Sequence, residues 1–235
     1  MSALKGTALI TGASTGIGAV YADRLAKRGY DLILVARNEE RLSEAAARLK
    51  SIGRRIETIT ADLMKKEDVQ RVAERLGNDS TITALVNNAG LGSAGKLLDA
   101  KIDDLESMIY LNVTALTRLA LAALPAFVAR KNGLLINIAS VVALAPELLN
   151  GTYSGTKAYV VNFTQALKNE LEGTGVTIQA VLPGATATPF WEKAGRPVED
   201  LPGEMVMTAE DMVDASLTGL DQHELVTISR AARCR

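Results

Sequence analysis

The chain has 235 residues and a mass of 24.9 kDa, with 48% of its residues apolar and 23% charged; this composition supports a sizeable core and excludes disordered, collagen-like and low-complexity classes. Twenty-six Lys and Arg against 27 Asp and Glu leave a net charge of -1, so no global basic field exists to hold nucleic acid. A single cysteine, Cys234, and a single histidine, His223, exclude an internal disulfide and a multi-histidine metal site, and a Ser-His-Asp hydrolase would have to work through His223.

The first 30 residues lack a secretory signal pattern, and no run reaches the roughly 18 uninterrupted apolar residues of a membrane span. A cytoplasmic protein with no membrane partner is therefore expected. Short β-rich apolar runs recur at 7–11, 31–36, 56–60, 82–86, 134–138, 176–182 and 225–228. Between them lie segments of helical period, such as Leu42, Ala45, Ala46 and Leu49 within 39–52, and Val69, Val72, Ala73 and Leu76 within 65–77. Strands apolar throughout, as in Leu-Ile-Leu-Val-Ala at 32–36, suit a parallel sheet covered on both faces. The order predicts one α/β domain over 1–235, a doubly wound Rossmann-type fold with a mostly parallel seven-stranded sheet.

The longest helical readings are 105–131, which Pro125 is expected to bend or shorten, and 153–171. Both carry Ala and Leu on more than one face, which fits either deep burial or a self-association surface. From 183 to 208 the pattern fails amid four prolines and three glycines, as in a lid or a disordered segment.

The first strand runs into Thr-Gly-Ala-Ser-Thr-Gly-Ile-Gly at 11–18. Gly12, Gly16 and Gly18 there let the backbone bend tightly and approach a pyrophosphate, whose charge the amides of a helix starting near Ile17 attract. A glycine-rich turn that merely packs helix on strand is the alternative.

The spacing G-x-x-x-G-x-G resembles the short-chain dehydrogenase/reductase family, and other pieces fall in that family's order. Asn-Asn-Ala-Gly at 87–90 follows the fourth strand, Asn112 lies in the long helix and Ser140 ends the fifth strand. Tyr153 and Lys157 form Y-x-x-x-K, and Pro183-Gly184 follow the sixth strand. The resemblance spans residues 5 to about 228. It implies a nicotinamide dinucleotide held by Gly12, Ser14, Thr15, Gly16, Ile17 and Gly18 at the phosphates. Asp62 and Leu63 would meet the adenine, Asn88, Ala89 and Gly90 the ribose side, and Pro183, Gly184, Thr186 and Thr188 the nicotinamide.

About 20 residues beyond the phosphate turn, a dinucleotide fold normally places an Asp or Glu on the adenosine ribose. Here the second strand ends Val35-Ala36-Arg37-Asn38. Arg37 offers a planar cation suited to a 2'-phosphate, which predicts NADP(H), with Asn38, Ser14 and Arg41 assisting; a solvated surface charge is the bland reading of Arg37.

Tyr153 and Lys157, four apart, share a helix face. Lowering a phenol pKa from about 10 to about 7 takes roughly 4 kcal/mol, and one ammonium at 4 Å supplies about 4 kcal/mol at an effective dielectric of ~20. The lysine alone is thus expected to suffice. By resemblance Tyr153 is the proton donor and acceptor, Ser140 polarises the substrate oxygen, and Lys157 holds the nicotinamide ribose. Asn112 anchors a relay water, unless it only meets a backbone carbonyl. These four are the expected catalytic residues, and no metal is expected.

Phe190, Trp191, Met205 and Met207 either cover a hydrophobic substrate or pack the lid onto the body. The family implies a homodimer or homotetramer through the two long helices, although the chain ends in the arginine-rich 230–235 instead of a further apolar tail. The activity implied is interconversion of a secondary alcohol and a ketone or aldehyde. Reduction of 3-oxoacyl thioesters and non-catalytic sensing of NADP(H) remain alternatives.

Overall fold

The computed structural model describes residues 5–229; the first four residues and the arginine-rich terminus with Cys234 lie outside the described residues. Seven strands, β1 (Thr7–Thr11), β2 (Asp31–Ala36), β3 (Ile56–Thr60), β4 (Ile82–Asn87), β5 (Gly133–Ile138), β6 (Val176–Pro183) and β7 (Val226–Ser229), form one sheet in the order β3-β2-β1-β4-β5-β6-β7. Every neighbouring pair is parallel. The expected doubly wound α/β fold is thereby observed. Strand order reverses between β1 and β4, and ligands of such sheets bind at the carboxyl ends flanking that reversal.

Alternation along the strands sends side chains into two separate cores. Ala8, Ile10, Leu32 and Leu34 face α1 (Gly16–Lys27) and α2 (Glu39–Leu49), while Leu9, Ile33, Val35 and Leu85 face α3 (Lys66–Asn78) and the long helix that follows β4. Because both faces are covered, the central strands read as unbroken apolar runs.

The long helix runs without a gap from Ile102 to Ala129, but in three parts: α4 (Ile102–Ile109), a π-helical turn over Tyr110–Ala115 and α5 (Leu116–Ala129). The irregularity falls at Asn112, not at Pro125 as expected. Pro125 sits on an exposed face of α5, where water can satisfy the carbonyl that its missing N–H leaves free. By length and composition Ile102–Ala129 is apolar enough to cross a membrane, yet half of its most apolar window is buried in the fold. Leu119, Ala123 and Phe127 belong to the core beside the sheet.

The next helix, α6 (Gly151–Glu170), opens at Asn150, whose side chain accepts from the Thr152 amide. The segment 183–208 is neither structureless nor a single element. It holds the short helix α7 (Phe190–Ala194) and two 3-10 turns, and a bridge between Thr186 and Met207 closes its base. Residues 209–221, unassigned from sequence, form α8 (Ala209–Asp221), capped by the Thr208 hydroxyl accepting from the Asp211 amide at 3.0 Å. Met212, Val213 and Leu217 bury its inner face against α1, and Arg24–Asp214 and Arg28–Asp221 pairs tie the two helices at the surface.

The centre of the sheet carries a polar chain. Asn87 Nδ2 donates to Asn137 Oδ1 at 3.0 Å, and Asn137 Nδ2 donates to Thr164 Oγ1 at 3.0 Å. These bonds cross from β4 through β5 to α6, the helix bearing Tyr153 and Lys157. Burying such groups costs free energy unless each finds a partner. Asn137→Ala should therefore lower the unfolding free energy by about 2 kcal/mol, read as a shift in the urea midpoint at unchanged slope.

Candidate active site

A cleft of about 910 Å³ opens over the carboxyl ends of β1 to β6. Every residue expected to bind the dinucleotide or act on the substrate lines it, except Gly18 and Asn112, which stand behind its wall. His223 is exposed in the turn after α8 and does not line the cleft, so Ser140 has no histidine base there.

At the strand reversal the glycines are used as their spacing suggests. Gly12 and Gly16 have φ of 66° and 55°, a region that costs other residues dearly. A Cβ on Gly18 would collide with the Gly12 carbonyl and Asn88 Nδ2. Asn88 in turn donates to the Thr11 carbonyl at 2.9 Å, and the Thr11 hydroxyl accepts from the Asn88 and Ala89 amides at 3.0 Å. These bonds join the ends of β1 and β4. Thr15, at the N-cap of α1, makes no side-chain capping bond, so the first amides of that helix remain available to an anion in the cleft. Together these features fit a dinucleotide pyrophosphate.

At the end of β2, Arg37 and Arg41 line the cleft with Asn38. Asn38 is partly committed, since its Oδ1 accepts from the Arg41 amide at 2.8 Å as the N-cap of α2. Asp62, past β3, lines the same wall while one carboxylate oxygen accepts from the Met64 amide at 3.1 Å.

At the far end, Ser140 lies two residues beyond β5; its hydroxyl accepts from the Val142 amide at 3.4 Å and lies close enough to Tyr153 to favour the ionised phenol. Lys157 donates from Nζ to the Ile138 carbonyl at 2.9 Å and lies 5.8 Å from the Tyr153 ring centroid. Both side chains are buried. Burial pushes the Tyr153 phenol up to about 12, against a lowering by Ser140, and pushes the Lys157 ammonium down to about 8.

The expectation that lysine alone tunes the tyrosine is corrected here. Bringing the phenol from its buried value of about 12 to neutrality takes about 7 kcal/mol, more than the roughly 4 kcal/mol that one ammonium supplies even at 4 Å and an effective dielectric of ~20. The sequence arithmetic omitted desolvation, which opposes the charged form of both groups.

Asn112 is fully engaged with protein groups. Its Oδ1 accepts from the Leu91 amide at 2.9 Å, and its Nδ2 donates to the Leu91 carbonyl at 2.8 Å and to Thr156 Oγ1 at 3.0 Å. Here the backbone-contact alternative describes the side chain. Its carboxamide also approaches Gly90, where a Cβ would come within 3.1 Å of Asn112 Oδ1 and 3.5 Å of Lys157 Nζ.

The lid residues divide between the two roles considered. Phe190 packs on Tyr153 with ring centroids 5.8 Å apart and covers Gly92, where no Cβ would fit. Met205 is 57% exposed and lines the cleft. Trp191 anchors the lid, donating from Nε1 to the Thr186 carbonyl at 2.9 Å, and Met207 is buried in the core. Thr186 donates its hydroxyl to the Gly184 carbonyl at 3.0 Å, and Thr188 packs against Gly16. Sequence reasoning missed Leu148, Leu149, Lys193 and Arg196 in the lining, because irregular segments have no period to reveal which side chains turn inward.

A parallel sheet with a glycine turn at its reversal, and a buried Tyr–Lys pair at the other end of the same cleft, fits the class of nucleotide-binding α/β proteins. The short chain dehydrogenase family matches residues 6–198, and the chain belongs to that family of NAD(P)-using oxidoreductases. It is similar to a solved short-chain dehydrogenase from Sphingobium yanoikuyae in complex with NADPH, with 48% identity and a TM-score of 0.92, covering 95% of this chain and 87% of that one. It is also similar to a bulky-bulky ketone specific alcohol dehydrogenase from Comamonas testosteroni, with 43% identity and a TM-score of 0.87 over 95% and 86% of the two chains. A very-long-chain 3-oxoacyl-CoA reductase of Danio rerio is 34% identical over 200 residues, which span 83% of this chain and 62% of that relative.

The depressed Lys157 pKa has a signature in stability. Below about 8 the folded protein carries the full cost of a buried ammonium, and the unfolded chain holds its proton up to about 10.5. Between these values the unfolded state binds more protons, so stability rises with pH. Relative to Lys157→Met, the parent should gain up to about 3 kcal/mol from pH 8 to 10.5, measured by urea melts at each pH.

Proposed function

We propose that this protein is an NADP(H)-dependent oxidoreductase that interconverts a secondary alcohol and a ketone or aldehyde. The observation that carries this reading is the convergence, in one cleft, of Ser140, Tyr153 and Lys157 at one end with Arg37 and Arg41 at the other. When bound, the dinucleotide supplies or takes up the hydride and, when oxidised, brings a positive nicotinamide charge.

The phosphate turn from Gly12 to Gly18 holds the pyrophosphate, Arg37 with Asn38 and Arg41 the 2'-phosphate, and Asp62 and Leu63 the adenine. Asn88, Ala89 and Gly90 border the ribose, while Pro183, Gly184, Thr186 and Thr188 border the nicotinamide. Ser140 donates a hydrogen bond to the substrate oxygen, where negative charge develops during reduction. Tyr153, protonated at neutral pH with a pKa of about 12, gives its proton to that oxygen; in the reverse direction it accepts one. Lys157 holds the nicotinamide ribose and stabilises the phenolate. Asn112 fixes the Leu91 backbone beside the site, and the π-helical turn is where a relay water is expected.

The substrate end is lined by Val142, Leu148, Leu149, Phe190 and Met205, which favours an apolar carbonyl compound. Likeness to the Comamonas ketone-specific enzyme supports bulky ketones, and likeness to the zebrafish reductase supports 3-oxoacyl thioesters as the second reading. Exposed Leu121, Val128 and Tyr159 on α5 and α6 form the surface on which a homodimer or homotetramer is expected.

An absorbance screen of NADPH consumption against ketones, aldehydes and acyl thioesters tests the reading. Activity should appear with at least one apolar carbonyl, and Tyr153→Phe should lower kcat at least about 10³-fold while NADPH still binds. No turnover across the panel would point instead to an NADP(H)-sensing role. Arg37→Asp should weaken NADPH binding at least about tenfold and leave NADH binding unchanged or stronger, as read by cofactor titration.

A further inference from the structure

The cationic end of the cleft has a third contributor that comes from the lid. Lys193 lies on α7 and lines the cleft with Arg37 and Arg41. Its pKa is lowered first by burial and then by those two guanidiniums, and Glu192 partly offsets them. Among the described residues, none of the three cations forms a salt bridge. In a chain of net charge -1, three cations that form no ion pair and are offset only in part by Glu192 make a site prepared for an anion.

Lys193 is held in place by its helix. The Ala194 carbonyl accepts from the Ala94 amide at 2.9 Å, Trp191 bonds Thr186, and Phe190 covers Gly92. Those contacts hold Phe190, Trp191 and Ala194 against the body, while Lys193 is exposed and lines the cleft that Arg37 and Arg41 also line. The cluster therefore straddles two parts of the molecule: Arg37 follows β2 and Arg41 lies in the first turn of α2, whereas Lys193 belongs to the lid that covers Tyr153.

We propose that Lys193 is a positioning and specificity-determining residue that completes the 2'-phosphate site from the lid, so that a phosphate-bearing dinucleotide draws the lid down over the reacting end. The inference rests on the NADP(H) reading above. A phosphate carrying nearly two negative charges attracts all three cations and bridges the lid to β2. A dinucleotide without it leaves Lys193 facing two like charges, which opposes closure. Choice of cofactor and enclosure of the substrate thus become a single event.

The test uses adenosine 2',5'-bisphosphate and adenosine 5'-monophosphate as probes, with calorimetric affinities and hydrogen exchange of residues 190–205. The parent should prefer the bisphosphate, and the bisphosphate alone should slow exchange in the lid. In Lys193→Gln the bisphosphate affinity should fall about five- to tenfold and the extra protection should vanish. Binding of the monophosphate should be unchanged, and Lys193→Arg should restore both effects. Lys193→Gln binding the bisphosphate as the parent does, or equal lid protection by both probes, would overturn the inference while the Arg37 reading stands. A parent without preference for the bisphosphate would overturn both.

Discussion

The site depends on the burial of two groups that do not tolerate burial. Tyr153 and Lys157 sit one helical turn apart on α6, beneath the lid and against β5, each only 5% exposed. Desolvation makes the phenol a weaker acid and the ammonium a stronger one. Left alone, the pair rests with the tyrosine firmly protonated and the lysine near its titration point. On the reading proposed above, the protonated phenol is ready to give its proton during reduction, and only the reverse direction calls on further positive charge, brought by the oxidised dinucleotide, before the phenolate forms.

Much of the architecture serves to keep that pair in place. The Ile138 carbonyl at the end of β5 accepts from Lys157. The Asn87–Asn137–Thr164 chain fixes α6 against the middle of the sheet, and Asn112, at the π-helical turn, fixes the loop after β4 through both polar groups of Leu91. Phe190 closes the site from above because Gly92 has no side chain. One lid of five helical residues thereby packs an aromatic side chain on the tyrosine and places a lysine in the cleft lining with Arg37 and Arg41.

Legibility from sequence followed regularity. Strands Thr7–Thr11, Asp31–Ala36 and Ile56–Thr60 match their predicted runs to the residue: the first two because covered parallel strands are nearly all apolar, and the third, at the sheet edge, because β-branched Ile and Thr dominate it. The glycine turn was legible because the φ of Gly12 and Gly16 favours glycine and a Cβ on Gly18 would strike the Gly12 carbonyl. Helix α8 escaped notice beside the proline-rich segment, although the Thr208 cap and the spacing of Val213 and Leu217 signalled it. Pro125 was a false breaker, since exposure on the outer face of α5 makes a missing N–H tolerable. The lid lining was illegible because no period governs it. The energy of the Tyr–Lys pair was misjudged for a different reason: side-chain spacing carries the attraction, but the burial opposing it exists only in the folded molecule.

The most direct test of this account is an ultraviolet difference titration of the Tyr153 phenol, with Tyr153→Phe subtracted to remove the other tyrosines. In the protein alone the phenol should ionise above the range of an ordinary tyrosine, near 12. Saturating NADP+ should bring its ionisation down by several pKa units. A Tyr153 that ionises near 7 without the dinucleotide, or one that NADP+ leaves unmoved, would contradict the account.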